Sequence, residues 1–195
     1  YGLHPQQVTE SNMINSTNII NHCSNERVIA IGETGLDFFH SVKCKKEQYE
    51  VFENHIEASY ETDLPLIIHQ RNSENEIIDV LSNFQKSKPL NVVFHCFTGS
   101  SKLLNFCLEN AFYISLSGII TFKKADELRS VIKDIPLSSV LIETDSPFLA
   151  PVPMRGKKNE PSYIKYTLRK LAEIKKIDES ELDRITTNNF NKLFF

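Results

Sequence analysis

Short apolar runs, each followed by turn or polar residues, are the feature that most restricts how this chain can fold. They span residues 28–31, 64–68, 92–94, 112–116 and 140–142. Runs of this length suit strands that are covered on both faces, as strands are in parallel sheets. The sequence therefore predicts a parallel sheet that is covered by helices.

The segments between the runs show the period of amphipathic helices. Residues 45–62 place Tyr49, Phe52, Ile56 and Tyr60 at spacings of three to four, which puts them on one helical face. The same pattern predicts helices at 74–86, 101–110 and 124–133, and two more after the last run. With 195 residues and no linker-like segment, we expect a single α/β domain over residues 1–195.

Strand–helix alternation leaves two architectures open, a doubly wound sheet and a (β/α) barrel. No GxGxxG pattern follows a predicted strand, which weakens the dinucleotide-binding form of the first. A barrel usually needs roughly 250 residues and eight strands. Here about six strands can be counted if residues 1–3 are the end of one. A barrel would therefore lack two strands on its N-terminal side.

Charge and cysteine content narrow the class of ligand and the compartment. A net charge of −3 gives no bulk basic field, so a nucleic acid would have to be held by a local patch or through metal ions. The cysteines show no CxxC pairing and no disulfide spacing, which favours reduced thiols in a cytoplasmic protein. No apolar stretch approaches the roughly 18 residues of a membrane span. We therefore expect no membrane association, and no obligate protein partner is evident.

Imidazole and carboxylate groups follow four of the predicted strands. They are Glu33, His69, His95 and Asp145. Active sites of both candidate architectures lie at the carboxyl ends of strands. One histidine after a strand is more often structural, but the repetition across four strands favours a metal site.

The residue types also indicate the kind of metal. Imidazole and carboxylate without thiolate suit Zn²⁺, Mn²⁺ or a Mg²⁺-like ion. Glu33 can bridge two ions, and His69 with His95 can complete one of them. Asp145 can bind the other ion and accept a proton from a metal-bound water. The sequence thus predicts a hydrolytic centre with two divalent ions, in which Glu33 and Asp145 are the candidate catalytic residues.

Longer motifs carry a resemblance to a known family. They are "YGLHP" (1–5), "IGETGLDFF" (31–39), "LPLIIHQR" (64–71), "FHCFTGS" (94–100), "SGIITFK" (117–123), "IETDSPFLAPVPMRGKKNEP" (142–161) and "TTNNFNKLF" (186–194). Together they resemble the TatD-like metal-dependent deoxyribonucleases, within the amidohydrolase-type barrels. The resemblance implies a TIM (β/α) barrel that uses Mg, Mn or Zn ions to hydrolyse DNA phosphodiesters.

The resemblance also implies roles for individual residues. It assigns the metal-ligand roles to Glu33, His69, His95 and Asp145. His4 is expected to face the substrate phosphate, and the loop after the last strand is expected to line the substrate-binding mouth with Arg155, Asn159 and Glu160. Outside this set, His40 could face substrate, whereas His22 and His55 are interpreted as structural or surface residues.

One departure from the family pattern concerns the second metal. The family opens with a strand that ends in an HxH pair, and this sequence contains no HxH. We therefore expect that the first two strand–helix units are missing. Two ions are expected for the family, and one or two for this chain. Two alternatives stay open: hydrolysis of another ester or amide, and an inactive remnant without the HxH half-site.

Overall fold

The computed structural model describes residues 1–40, 43–86 and 88–195. The chain divides into two compact units. Unit 1 contains Tyr1–His95 with Leu193–Phe195, and unit 2 contains Cys96–Lys192. Both units are built from parallel strands and helices, so the predicted α/β class is confirmed. The prediction of a single domain over residues 1–195 stays a prediction.

Unit 1 is a three-stranded parallel sheet with helices between its strands. Strand β1 pairs with β2, and β2 pairs with β3. A short 3-10 helix (Pro5–Gln7) and a helix that the sequence did not predict, α1, come before β1. The elements are α1 (Ser16–Cys23), β1 (Ile31–Asp37), α2 (Lys45–Thr62), β2 (Leu66–Arg71), α3 (Glu74–Gln85) and β3 (Val92–Phe94).

The first strand lies further along the chain than its apolar run suggests. The run at 28–31 was predicted to be the strand, but β1 begins only at Ile31 and ends at Asp37. Glu33 therefore lies within β1, and His69 lies within β2. Both were predicted to follow their strands, so the prediction is corrected for these two residues. This polar segment can pair with β2 because Gly32 and Gly35 have no side chain at the points where the two strands approach most closely. An added Cβ at Gly32 would lie 2.7 Å from the Ile67 carbonyl oxygen, and one at Gly35 would lie 2.1 Å from that of His69.

Residues 1–3, counted as the tail of a sixth strand, are not a strand in the structure. They are nonetheless anchored to unit 1. Tyr1 donates from its amino group to the Ala30 carbonyl at 2.9 Å and accepts from the Gly32 amide at 2.9 Å. Leu3 donates its backbone N–H to His55 Nε2 at 3.0 Å. These bonds fix the segment that leads into His4.

His55 is the buried end of this anchor. It lies on α2 with no exposed surface, and its Nδ1 contacts the Val51 carbonyl oxygen at 2.6 Å. Since Nε2 accepts from Leu3, the imidazole is neutral and its proton is on Nδ1. Burial lowers the pKa of His55 from 6.5 to about 4. The residue is structural, as its place in a helix suggested.

This buried imidazole predicts a pH-dependent stability. The unfolded state binds more protons than the folded state between the folded pKa of about 4 and the unfolded value of 6.5. Stability is therefore lost as the pH falls through that window. In urea unfolding, we expect the wild type to lose about 2 kcal/mol more than His55→Gln when the pH is lowered from 7 to 5. His22→Gln, which changes an exposed histidine, is the control. An equal loss in wild type and His55→Gln would contradict the assignment.

Unit 2 pairs two parallel strands, β4 with β5. The predicted helices are confirmed in both units, with ends that differ from the prediction by a few residues. The elements of unit 2 are α4 (Ser101–Glu109), β4 (Tyr113–Leu116), α5 (Asp126–Ile132), β5 (Val140–Ile142), α6 (Ile164–Lys175) and α7 (Glu179–Phe194). Across the described ranges of both units, we find no helix with the length and apolar character that a bilayer crossing requires.

Candidate metal centre

Three imidazoles of unit 1 converge on a single carboxylate oxygen, Oε1 of Glu33. His69 Nδ1 lies 2.9 Å from this oxygen, and His95 Nε2 also lies 2.9 Å from it. His4 Nε2 lies 3.2 Å from the same oxygen. The sequence predicted that Glu33, His69 and His95 meet, and the structure brings them together with His4 as a fourth member.

Strand register explains why these residues meet. His69 on β2 pairs with Gly35, two residues beyond Glu33 on β1. Ile68 pairs with Phe94, so that His95 follows β3 directly beside His69. The His95 amide also donates to the Ile68 carbonyl oxygen at 3.0 Å. Parallel pairing therefore delivers a carboxylate and two imidazoles to one edge of the sheet.

His4 reaches the cluster because the chain turns directly after it. His4 caps the 3-10 helix, and its Nδ1 accepts from the Gln6 amide at 3.1 Å. An imidazole nitrogen that accepts carries no proton, so the proton of neutral His4 is on Nε2, the atom that faces Glu33. Nε2 of His4 also lies 3.3 Å from Nδ1 of His69.

The electrostatics of the cluster favour an ionised Glu33. Burial alone would raise the pKa of this carboxyl group, but its close contacts with the imidazoles of His4, His69 and His95 lower the pKa by more than burial raises it. The pKa of Glu33 is therefore held well below its usual range. The cluster carries a negative charge at neutral pH, surrounded by imidazole nitrogens.

These donors fit a divalent ion. The ligand atoms of His4, Glu33 and His69 all lie within 4.8 Å of one another. The imidazoles of His69 and His95 with one carboxylate and no thiolate form a donor set that zinc and manganese accept. His4 was expected to face substrate phosphate. The structure places it beside these ligands, with the proton-bearing Nε2 facing the cluster as a hydrogen-bond donor, and its phosphate contact stays a prediction.

Asp37 is a site residue that the sequence reading missed. It is the last residue of β1, it has no exposed surface, and its Oδ2 lies 3.1 Å from Nε2 of His69. A carboxylate can only accept hydrogen bonds, so Asp37 keeps the proton of His69 on Nε2. Nδ1, which faces Glu33, is then the nitrogen that can bind a metal.

Several donors hold the Asp37 carboxylate itself. Oδ1 accepts from the backbone amides of Phe39 and His40 at 2.9 and 2.8 Å. Oδ2 also lies 2.8 Å from Gln6 Nε2 and 2.9 Å from His40 Nδ1. Burial would raise the pKa of Asp37, but these bonds and the one from His69 lower it below its usual range. Asp37 is therefore ionised and fixed in position.

The remaining predicted residues belong to unit 2. Asp145 follows the end of β5 by three residues and has a left-handed backbone with φ 57°. Arg155 is exposed, donates to the Ala150 carbonyl at 3.1 Å, and places its guanidinium 3.8 Å from the centre of the Phe122 ring.

Asn159 stabilises the backbone of the loop that follows β5. It is 3% exposed, and its amide donates to the carbonyl oxygens of Thr144 and Phe148 at 2.7 and 2.6 Å. Those two residues flank Asp145, so Asn159 fixes the turn that carries this carboxylate. Glu160 is exposed and accepts a hydrogen bond from the Ser162 hydroxyl. Metal binding by Asp145, and substrate contacts by Arg155, Asn159 and Glu160, stay predictions.

A family comparison covers the full length of this chain. The family model described as TatD related DNase matches residues 1–195. The chain belongs to the TatD family.

Curated relatives of this TatD-family chain are metal-dependent hydrolases by name. The uncharacterized metal-dependent hydrolase YabD of Bacillus subtilis is 43% identical over 171 residues, which cover 88% of this chain and 67% of YabD. The uncharacterized metal-dependent hydrolase YcfH of Escherichia coli K12 is 37% identical over 193 residues, covering 99% of this chain and 72% of YcfH. The chain is therefore a TatD-family metal-dependent hydrolase.

A solved structure supports the fold. The crystal structure of YjjV, a TatD homolog from Escherichia coli K12, matches this chain with a TM-score of 0.87 and 26% identity. The match covers 99% of this chain and 74% of YjjV. The TatD-family chain thus has the TIM (β/α) barrel fold of the amidohydrolase type. The expectation that two strand–helix units are missing stays a prediction.

Proposed function

We propose that this TatD-family hydrolase cleaves DNA phosphodiester bonds and is a divalent-metal-dependent deoxyribonuclease. The observation that carries the proposal is the convergence of three imidazoles on Oε1 of Glu33, at 2.9, 2.9 and 3.2 Å. His69 lies in the second half of β2 and His95 directly follows β3, which is the side of a sheet where barrel enzymes have their active sites. The description of the matching family as TatD related DNase supports DNA as the substrate.

Glu33, His69 and His95 would hold one divalent ion, with His4 beside them. Asp145 is the proposed ligand of a second ion, and Mg, Mn and Zn are the candidate metals. When bound, such ions supply positive charge that polarises a phosphoryl oxygen and makes water a better nucleophile.

The protein's own groups prepare this chemistry. Ionised Glu33 provides the negative charge against which cations are held, and Asp37 holds His69 in one tautomer. Asp145 accepts the proton of the attacking water. Asn159 keeps the Asp145 turn in place through its two bonds to flanking carbonyl groups. Hydrogen bonds fix the positions of these groups before substrate binds, and such preorganisation is the condition for electrostatic catalysis.

The test is cleavage of a single-stranded oligonucleotide by the full chain with Mn²⁺, Mg²⁺ or Zn²⁺. We expect cleavage that EDTA abolishes and that Asp145→Asn lowers at least about 100-fold, since a positioned proton acceptor contributes 10²- to 10⁴-fold. His22→Ala, which removes an exposed imidazole outside the cluster, is the control and should cleave at the wild-type rate.

Three results would contradict the proposal. Unchanged cleavage by Asp145→Asn would remove Asp145 from the mechanism. Turnover of model carboxylic esters without cleavage of DNA would favour a hydrolase of another substrate class. Metal binding with no turnover of either substrate would favour an inactive remnant.

A further inference from the structure

An exposed aromatic ring lies next to the histidine–carboxylate cluster. Phe39 follows β1 by two residues, and 55% of its surface is exposed. Its backbone amide donates to Oδ1 of Asp37 at 2.9 Å, and Oδ2 of Asp37 contacts His69. The backbone of Phe39 is therefore linked to the candidate metal centre through the carboxylate of Asp37. An isolated exposed phenylalanine needs no explanation, but this one directly follows the strand that carries Glu33 and Asp37.

The neighbours of Phe39 hold the ring and add positive charge. The guanidinium of Arg71 lies over the ring, 4.6 Å from its centre. The His40 ring lies 4.6 Å away at an interplanar angle of 80°. Arg71 ends β2 and pairs with Asp37, so the strand register fixes it beside Phe39. Cation–π contact and edge-to-face packing keep the exposed ring in one orientation.

Further cations follow Phe39 along the chain. Lys43, Lys45 and Lys46 are exposed, and the last two begin α2. Lysines are unfavourable at a helix N-terminus, where the helix dipole is already positive. Their cost is offset when an anion binds nearby. The Lys45 ammonium lies 4.1 Å from the centre of the Phe38 ring, so the cation placed at Phe39 itself is Arg71.

We propose that Phe39 and Arg71 form a subsite for one unpaired nucleotide of the DNA substrate. The base stacks on the open face of Phe39, and an adjoining phosphate lies against Arg71. Aromatic rings beside cations are how proteins hold single strands without reading their sequence. Bases inside a duplex are already stacked on both faces, so the subsite accepts single strands and frayed ends. The inference rests on the proposed deoxyribonuclease function.

The test separates base stacking from phosphate binding. One fluorescent oligonucleotide carries normal bases, and a second of equal length carries abasic sugars with the same phosphates. Binding of both is measured by anisotropy in Ca²⁺, and cleavage of both in Mn²⁺. We expect Phe39→Ala to weaken binding of the normal strand about tenfold, as at other stacking sites, and to leave the abasic strand unchanged. Phe39→Trp should restore the preference for bases. Phe190→Ala, an exposed phenylalanine on α7, is the matched control and should bind as the wild type does.

The two readouts distinguish two failures. Equal binding of normal and abasic strands by the wild type, or an equal loss on both strands in Phe39→Ala, would overturn the subsite even if DNA is cleaved. Base-dependent binding that requires Phe39, without cleavage of any DNA, would support the subsite and contradict the deoxyribonuclease function.

Discussion

Replacing Glu33 by glutamine is expected to lower both metal affinity and hydrolysis by more than about 100-fold, since changes even behind the ligands cost 10- to 100-fold. Oε1 of Glu33 is the shared contact of His4, His69 and His95, and its negative charge is what draws them together. Glutamine keeps the size of the side chain but removes that charge. Calorimetric titration with Mn²⁺ or Zn²⁺, together with a hydrolysis assay, measures the two losses.

Glu53→Gln is the matched control for this change. Glu53 is exposed on α2, so the same substitution there should leave affinity and hydrolysis at wild-type values. Wild-type metal affinity in Glu33→Gln would contradict the assignment of Glu33 as a ligand.

Replacing Asp37 by asparagine is expected to have the second largest effect. The Oδ2 atom faces nitrogen atoms of Gln6, His40 and His69, and the side chain has no exposed surface. An uncharged amide there leaves buried donors poorly paired, which costs about 1–3 kcal/mol of folding free energy. It also no longer fixes the tautomer of His69, so metal affinity should fall about 10- to 100-fold. Urea unfolding and metal titration measure the two effects separately.

His40→Ala gives the comparison for Asp37. It removes a histidine from the same carboxylate but leaves the 3.1 Å contact between Asp37 and His69 in place. We expect it to keep metal affinity within a few-fold of the wild type, because His69 stays oriented. If Asp37→Asn loses stability while its metal affinity stays at the wild-type value, Asp37 is a structural residue only.

The sequence predicted most of the elements of the fold because apolar periodicity reports burial directly. Helix α2 was predicted at its observed bounds of 45–62. The strand at 28–31 was misplaced because apolar character marks burial and not pairing. The residues that do pair in β1 include Gly32, Glu33 and Gly35, whose fit depends on the close approach of β2.

The candidate site was predicted as far as strand ends could indicate it. His69 and His95 follow apolar runs, and parallel strands bring such positions to one edge. Asp37 was missed, although its spacing of two and four residues from Gly35 and Glu33 along one strand was a usable signal. The position of its carboxylate depends on contacts with Gln6 and His40. No periodic pattern in the sequence indicates those contacts. The hydrogen bonds of Asn159 likewise go to backbone carbonyl groups. Every residue has such a group, so the sequence does not indicate which one is the acceptor.

The content of metal per folded chain tests the central claim most directly. The wild type would be dialysed against Mn²⁺ or Zn²⁺, freed of unbound ions and measured by elemental analysis beside His69→Ala, with circular dichroism to show that both are folded. The Glu33–His69–His95 site predicts at least one ion per wild-type chain and its loss in His69→Ala. A folded wild type that binds no ion, or a His69→Ala chain that keeps the same number of ions, would contradict it.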